Sequence, residues 1–243
     1  QARLKELGIK KLPAADIDPE SVHVAALEGP QIHKRAAISW KDKSGKIQHA
    51  YTPEFHAANA AKKWARAQQA EPRVDALRSD LTRAAQAAEP GSREQKAAAA
   101  AALIAATGLR PGGEGGSTTR GHFGVTTMRA EHVRVDGDAI HIEYVGKAGK
   151  LNIADVRDAA LASVIGPLVA ATPQGAPVFG GDRAAAAALL PAGMKLKDFR
   201  TVFATRTADM LLLQSHPPPP LDKDPKKAKV QVERLLRKVS ADV

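Results

Sequence analysis

The pattern of apolar and polar residues in the first part of the chain predicts a β-hairpin followed by a helix. Between residues 36 and 51, the runs AAISW and IQHAY read as short strands, and the polar segment KDKSGK between them contains a turn glycine. Residues 56–88 have the composition of a helix. Pro72 should end or kink that helix, because proline has no backbone N–H to donate.

The middle of the chain predicts a capped helix and then a small sheet. Ser92 followed by Gln95 fits a capping box, REQKAAAAAALIAAT continues as a helix, and Gly108 is a natural C-terminal cap. Residues 111–121 are rich in glycine and read as a loop. The segment HVRVDGDAIHIEYVGKAGK alternates around the turns DGD and GKAGK, and so predicts two or three strands.

The last part of the chain reads as helical. Residues 155–171 and 183–190 have helical composition. The segment KLKDFRTVFATRTADMLLL predicts a helix with Phe199, Phe203 and the later leucines on its buried side. SHPPPP should form a rigid, extended linker. The tail KDPKKAKVQVERLLRKVSADV then predicts a basic amphipathic helix.

Together these elements predict an α+β fold in two domains. Residues 1–75 would form a small β-rich N-terminal domain. Residues 76–243 would form a larger, mainly α-helical domain into which a β-hairpin or three-stranded sheet is inserted. The sequence contains no internal repeat.

The composition excludes several classes of protein and favours a polyanionic partner. No uncharged apolar run approaches the ~20 residues of a membrane span. Cysteine is absent, which excludes disulfides and thiolate metal sites, and the eight histidines show no HxxxH or HExxH spacing, so we expect no metal site. The net charge of +10 and the pI near 9.9 suit a polyanion, for which nucleic acid is the default.

Three cations stand where a phosphate could be bound. Arg110 follows a helix end, Lys147 lies in a tight β-turn, and Arg200 lies within KDFRT. The planar guanidinium of arginine can donate two hydrogen bonds to the nonbridging oxygens of a phosphate, where negative charge gathers during phosphoryl transfer. A lysine whose pKa is lowered by neighbouring cations can protonate the leaving 5′ oxygen. Taken singly, the three residues also fit structural roles as a helix C-terminal cation, a turn lysine and a surface salt-bridge partner.

In order along the chain, these segments resemble the type IB DNA topoisomerases of bacteria and poxviruses, over roughly residues 34–243. WKDKSGKIQHAYTPEF is similar to the family's N-terminal hairpin, with Tyr51 at its second tyrosine and His49 in place of its first. TGLRPGGEGGSTTRGHFGVTTMRAEHVRV resembles the block in which an arginine and a glycine loop precede a strand. YVGKAGK resembles the hairpin of the general-acid lysine, and LKDFRT resembles the signature of the second catalytic arginine.

The resemblance implies an enzyme that relaxes supercoiled double-stranded DNA without ATP, metal or another cofactor. Its catalytic domain would have the fold shared with tyrosine recombinases. A tyrosine would attack a DNA phosphate, form a 3′-phosphotyrosyl link and release a 5′ hydroxyl, and the nick would be resealed after rotation. We expect a monomer in the cytoplasm, associated with the nucleoid. The catalytic residues would be Arg110, Lys147 and Arg200, and the DNA-binding residues would be Gln48, His49, Tyr51, Gly112, Lys150 and Lys197.

The sequence departs from the family pattern in two places. Gly116 stands where the family commonly has an aromatic residue that contacts DNA. The family's GHTP or GNTP motif and its nucleophilic tyrosine should follow the basic tail, but the chain ends at Val243. Tyr51 and Tyr144 are the only tyrosines, and neither stands at the nucleophile's place. We therefore expect a chain truncated before the nucleophile, which binds DNA but does not cleave it.

Three alternatives stay open. A tyrosine recombinase (integrase) shares the catalytic scaffold, and ATGLRPGGE resembles the recombinase TGLRxxE box. A recombinase usually has histidine where this chain has Lys197 and Thr201, and the hairpin at residues 36–51 also favours the topoisomerase. The second alternative is a DNA-binding module that uses the same cations without catalysis. The third is a basic helical domain that does not act on nucleic acid.

Overall fold

The computed structural model shows an α+β protein with two small antiparallel sheets. It describes residues 6–9, 18–26, 35–43, 45–113 and 121–214, with side chains as far as residue 211. The chain divides into two units, Gln1–Ala65 and Arg66–Val243. The predicted α+β class is confirmed, and the predicted domain boundary at residues 75 and 76 stays a prediction.

The first unit contains a three-stranded sheet in the order β1-β2-β3. Its strands are β1 (His23–Val24), β2 (Ile38–Lys41) and β3 (Ile47–Ala50). β2 and β3 form the hairpin that was predicted over residues 36–51. Ile38 and Trp40 alternate onto the buried face of β2 and pack with Ile9, as the two-residue period of a strand requires.

Asp42 closes the turn of this hairpin. Its backbone N–H donates to Lys46 O (3.0 Å), its carbonyl accepts from Gly45 N (2.8 Å), and its Oδ1 accepts from Lys46 N (3.0 Å). Gly45 has a φ of 76°, a left-handed conformation that glycine adopts without steric penalty. The turn predicted from KDKSGK is therefore confirmed.

Pro72 divides the long helical segment that follows the hairpin. α1 (Pro53–Ala70) ends before it, a 3-10 helix (Glu71–Arg73) contains it, and α2 (Val74–Ala87) begins after it. The break confirms the prediction, because proline supplies no backbone donor for a continuous helix. The boundary between the two units falls within α1.

α3 (Arg93–Thr107) is buried along most of its length in the second unit. Ser92 caps it, since its Oγ accepts from Gln95 N at 3.0 Å, while the Gln95 side chain accepts from Gly91 N at 2.7 Å. The predicted capping box is thus made with the N–H of Gly91 in place of that of Ser92. Every residue of Ala97–Ala105 is buried, because helices from earlier and later in the chain pack around α3.

The second sheet has three antiparallel strands in the order β4-β5-β6. They are β4 (Val133–Asp136), β5 (Ala139–Val145) and β6 (Leu151–Arg157). The prediction of two or three strands is confirmed. The prediction of a helix from residue 155 is wrong at its start, because Asp155 and Arg157 pair with His141 and Ala139 of β5.

Three further helices lie in the described part of the second unit. They are α4 (Ala159–Ala171), α5 (Arg183–Ala188) and α6 (Leu196–Gln214). α4 begins only after Asp158, whose Oδ1 accepts from Leu161 N at 3.1 Å. On α6, Phe199 is buried as predicted, but Phe203 is 40% exposed, so its predicted burial is wrong. Phe203 lies at the edge of the buried stripe, against Gly108.

The predicted linker at residues 215–220, the basic tail helix and Gly116 lie outside the described residues. Among the helices of the described ranges, none is long and apolar enough to cross a bilayer.

Candidate functional site

Gly108 ends α3 and turns the chain toward Arg110. It adopts a φ of 63°, and a Cβ at this position would lie 2.6 Å from the Cβ of Phe203. The left-handed conformation and the lack of space both require glycine here. Leu109 is buried, and Arg110, one residue later, is exposed.

Backbone hydrogen bonds fix the loop that carries Arg110. Val125 N donates to Arg110 O at 2.9 Å. Thr126 forms two hydrogen bonds with Pro111, the residue after Arg110. Its N (2.8 Å) and its Oγ1 (2.7 Å) both donate to Pro111 O. Thr126 is itself fully buried, so these bonds are shielded from water. Hydrogen bonds to the backbone carbonyls of Arg110 and Pro111 therefore fix the loop, and the side chains of the loop take no part in them.

Two glycines allow this loop to cross a second backbone segment at close range. A Cβ on Gly124 would lie 2.4 Å from the N and Cα of Gly112 and 2.7 Å from Arg110 O. Gly124 has an extended backbone with φ −156°, which any residue can adopt, so space alone requires glycine there. Gly112, which was predicted to contact DNA, is half-buried at this crossing with a φ of 95°.

Arg200, on α6, reaches the end of α3. Its Nη1 donates to Gly108 O at 3.2 Å. Carbonyl groups at the C-terminal end of a helix carry partial negative charge, so a cation is favourable at this place. Partial burial lowers the pKa of the Arg200 guanidinium, and the positive charge of Arg110 lowers it further. An arginine nevertheless stays protonated in proteins, so the site holds two positive charges.

Arg110 and Arg200 form a cation pair with no carboxylate partner among the described residues. Arg206, on the same helix as Arg200, differs because it forms ion pairs with Glu71 and Asp75. Two adjacent cations repel each other, and an anion between them removes that repulsion. Guanidinium groups bind phosphate oxygens with good geometry. The pair is therefore suited to a phosphate.

Lys147 lies in the turn between β5 and β6. Gly146 N donates to Lys150 O (2.7 Å), and Gly149 N donates to Gly146 O (3.1 Å). Ala148 has a φ of 64°, a conformation that few residues other than glycine adopt. This tight turn leaves the side chains of Lys147 and Lys150 exposed.

A short segment, residues 123–125, connects the Lys147 turn to the Arg110 loop. Phe123 N donates to Val145 O at 2.8 Å, two residues before Lys147. Two residues after Phe123, Val125 N donates to Arg110 O. The backbones that carry Arg110 and Lys147 thus share one neighbouring segment.

Tyr144 lies on the buried face of β5, three residues before Lys147. Its side chain is 2% exposed, and its Oη has no hydrogen-bond partner within the described ranges. Burial raises the pKa of the Tyr144 phenol to about 12, against the opposing effect of the nearby Arg200 and Arg110. The hydroxyl is therefore protonated at neutral pH.

Sequence reasoning missed the carboxylate that holds the start of α6. Asp198 is 1% exposed, and its Oδ2 accepts from Arg66 Nε (3.2 Å) and from Lys195 N (3.0 Å). These bonds fix the backbone two residues before Arg200. The acid within KDFRT is the sequence signal that could have indicated this role.

The hairpin residues predicted to bind DNA belong to the first unit. Gln48 is half-buried, and its Nε2 donates to Asp42 Oδ2 at 2.7 Å, so it supports the turn. His49, the next residue of β3, is exposed. Tyr51 stacks on Phe55 with ring centroids 4.0 Å apart. Their contacts with DNA stay predictions.

The structure thus brings some predicted residues together. The charge of Arg110 lowers the pKa of Arg200, and Lys147 and Lys150 share one exposed turn. Lys197 is exposed on the first turn of α6. The catalytic and DNA-binding roles of these residues stay predictions.

Comparison with known families gives a match over most of the chain. The family model described as eukaryotic DNA topoisomerase I, catalytic core, matches residues 52–242. The matched range includes Arg110, Lys147 and Arg200. A search of curated proteins gives no match to the sequence.

Proposed function

The chain belongs to the family of the eukaryotic DNA topoisomerase I catalytic core, and from this premise we propose that Arg110, Lys147 and Arg200 form its site for the DNA phosphate. The family supports a type IB topoisomerase-like function on DNA. We further propose that the chain is related to the bacterial and poxvirus type IB enzymes and shares their mechanism. In this proposal it acts as a monomer on the DNA of the nucleoid.

The proposed reaction consists of two transesterifications. A tyrosine hydroxyl attacks phosphorus and loses its proton to water, the P–O5′ bond breaks, and a 3′-phosphotyrosyl link forms. The leaving O5′ takes a proton from the Lys147 ammonium and becomes a 5′ hydroxyl. After strand rotation, the 5′ hydroxyl attacks the phosphotyrosyl phosphorus and the steps run in reverse. The phosphodiester energy is conserved, so no ATP is consumed.

In this reaction the two arginines stabilise the negative charge on the nonbridging oxygens. The observation that carries the proposal is the cation pair of Arg110 and Arg200, which lacks a carboxylate among the described residues. Arg200 is positioned in advance by its bond to Gly108 O. A preorganised donor of this kind contributes about 2.7–4 kcal/mol in oxyanion sites.

Neither tyrosine of the chain suits the role of nucleophile. The Tyr144 hydroxyl is buried and has a pKa of about 12, and Tyr51 stacks on Phe55 in the first unit. These two are the only tyrosines of the 243 residues. We propose that this chain binds DNA without cleaving it, and that the nucleophile is supplied from outside these residues.

Duplex binding at graded salt concentrations tests the proposal. The affinity of the chain for a short duplex should fall steeply between about 50 and 200 mM salt, because counterions are released from each contacted phosphate. Arg200→Ala should weaken binding and reduce the salt slope by about 1. Arg157→Ala is the matched control, because the Arg157 side chain is 79% exposed and pairs with Asp138.

Two outcomes would contradict the proposal. One is an affinity that does not depend on salt, and the other is an equal salt slope for the wild type and Arg200→Ala. The chain should also leave supercoiled plasmid unrelaxed. Relaxation by the chain would show that Tyr51 or Tyr144 does serve as nucleophile.

A further inference from the structure

The Tyr144 hydroxyl is a buried polar group for which the described residues supply no partner. The side chain is 2% exposed, and Oη takes part in no hydrogen bond within these residues. A buried tyrosine hydroxyl usually has a partner, because leaving it unpaired destabilises the folded state. Tyr144 is therefore a candidate for a role beyond packing.

The positive charges of two arginines act on this hydroxyl and oppose the rise of its pKa, and neither arginine can accept its proton. Arg200 and Arg110 both interact with Tyr144. A guanidinium has five N–H donors and no acceptor, so it could donate to the phenol oxygen but could not accept from the phenol O–H. One acceptor bonded to all three groups would satisfy them together. A phosphate, with several anionic oxygens, can accept that many hydrogen bonds.

The strand fixes the place of the ring. Tyr144 shares the buried face of β5 with Ile140 and Ile142, and the ring of His132 lies 6.3 Å from its ring. A tyrosine has two side-chain torsions, and packing of the ring restrains both. The ring is thus fixed on the strand that leads to Lys147, and the charges of Arg110 and Arg200 act on its hydroxyl.

We propose that the Tyr144 hydroxyl donates a third hydrogen bond to the phosphate that Arg110 and Arg200 bind. This rests on the proposed function and adds a residue that the arginine motifs do not indicate. The phenol is neutral, so its hydrogen bond would orient one phosphate oxygen without adding positive charge to the site. Oη is shielded from solvent, whereas both arginine residues are exposed.

Tyrosine labelled with ¹³C at Cζ reports this hydrogen bond. The chain has two tyrosines, so the spectrum has two signals, which Tyr51→Phe assigns. Inorganic phosphate should move the Tyr144 signal in a saturable way, and Arg200→Ala should abolish the movement. A Tyr144 signal that stays unmoved while phosphate shifts the Arg200 Nε signal would overturn the proposal.

Tyr144→Phe gives a second, independent readout because it removes the hydroxyl and keeps the ring. Replacing an unpaired buried hydroxyl by an apolar group should leave Tm unchanged or raise it. The Kd for inorganic phosphate should nevertheless rise about tenfold to a hundredfold, since a hydrogen bond to a charged group is lost. Thr82→Val, which removes a buried hydroxyl on α2, is the control and should leave that Kd unchanged. An unchanged phosphate Kd in Tyr144→Phe overturns the proposal.

Duplex binding separates this proposal from the one on which it rests. If the wild type binds duplex with a steep salt dependence and Tyr144→Phe binds phosphate as the wild type does, only the role of Tyr144 fails. If the wild type binds neither duplex nor phosphate, the proposed function fails and the role of Tyr144 fails with it.

Discussion

Gly124→Ala should displace the loop that carries Arg110. Gly124 has an extended backbone that alanine adopts freely, so the effect of the added methyl group is steric. The new Cβ would lie 2.4 Å from the N and Cα of Gly112 and 2.7 Å from Arg110 O. Carbon atoms in contact are normally about 3.5–4.0 Å apart, so one backbone must move by about 1 Å.

The magnitude follows from the kind of atoms in contact. All three belong to the main chain, so no side-chain rotation relieves the overlap. Overpacking in a core lowers the free energy of unfolding by about 1–3 kcal/mol, and main-chain contacts place this substitution near the upper value. A unit of this size loses about 2–4 °C in Tm per kcal/mol, so we expect Tm to fall by about 6–12 °C.

Gly113→Ala is the matched control in the same loop. A Cβ on Gly113 would meet no atom within 4 Å, and its φ lies outside the left-handed region. Its Tm and its duplex affinity should stay close to those of the wild type. Thermal unfolding by circular dichroism measures the first quantity, and fluorescence anisotropy with a labelled duplex measures the second.

The reasoning fails if Gly124→Ala and Gly113→Ala have the same Tm. A different result, a lower Tm with wild-type duplex affinity, would show that the crossing stabilises the unit without positioning Arg110. The account predicts that Gly124→Ala loses both stability and affinity.

Two further predictions concern stability. Asp198→Asn should lower the free energy of unfolding by about 1–3 kcal/mol, because the partly exposed Arg66 loses its ion pair with a buried carboxylate. An unchanged urea midpoint would contradict this prediction. Burial lowers the pKa of His132 from its ordinary 6.5, so the unfolded chain binds more protons than the folded one, and stability should be lost as pH falls below about 6.5. Between pH 7.5 and 5.5, Tm should fall further in the wild type than in His132→Gln. Equal falls would show that His132 is not the source of the pH dependence.

Local signals in the sequence predicted most of the fold. Ser92, Gly108 and Pro72 mark helix ends because each acts on hydrogen bonds or dihedral angles within about four residues. The start of α4 was predicted wrongly because helical composition begins at residue 155, whereas pairing with β5 keeps Asp155–Arg157 in a strand. Pairing of this kind depends on a partner strand, which residue composition does not report.

The residues of the site could be predicted, but their arrangement could not. Arg110 and Arg200 stand in recognisable segments, yet the hydrogen bond from Arg200 to Gly108 joins residues 92 positions apart. The crossing at Gly124 is also a tertiary contact without a local pattern. Burial of the Tyr144 hydroxyl depends on packing around β5. The sequence therefore shows the tyrosine, but not that its hydroxyl lacks a hydrogen-bond partner among the described residues.

A double-mutant cycle tests most directly the central claim, that Arg110 and Arg200 bind one phosphate. Duplex affinity is measured for the wild type, Arg110→Ala, Arg200→Ala and the double variant. If both arginines bind the same phosphate, the loss in the double variant should differ from the sum of the single losses by about 1 kcal/mol or more. Losses that add to within about 0.5 kcal/mol would mean separate contacts and would contradict the claim.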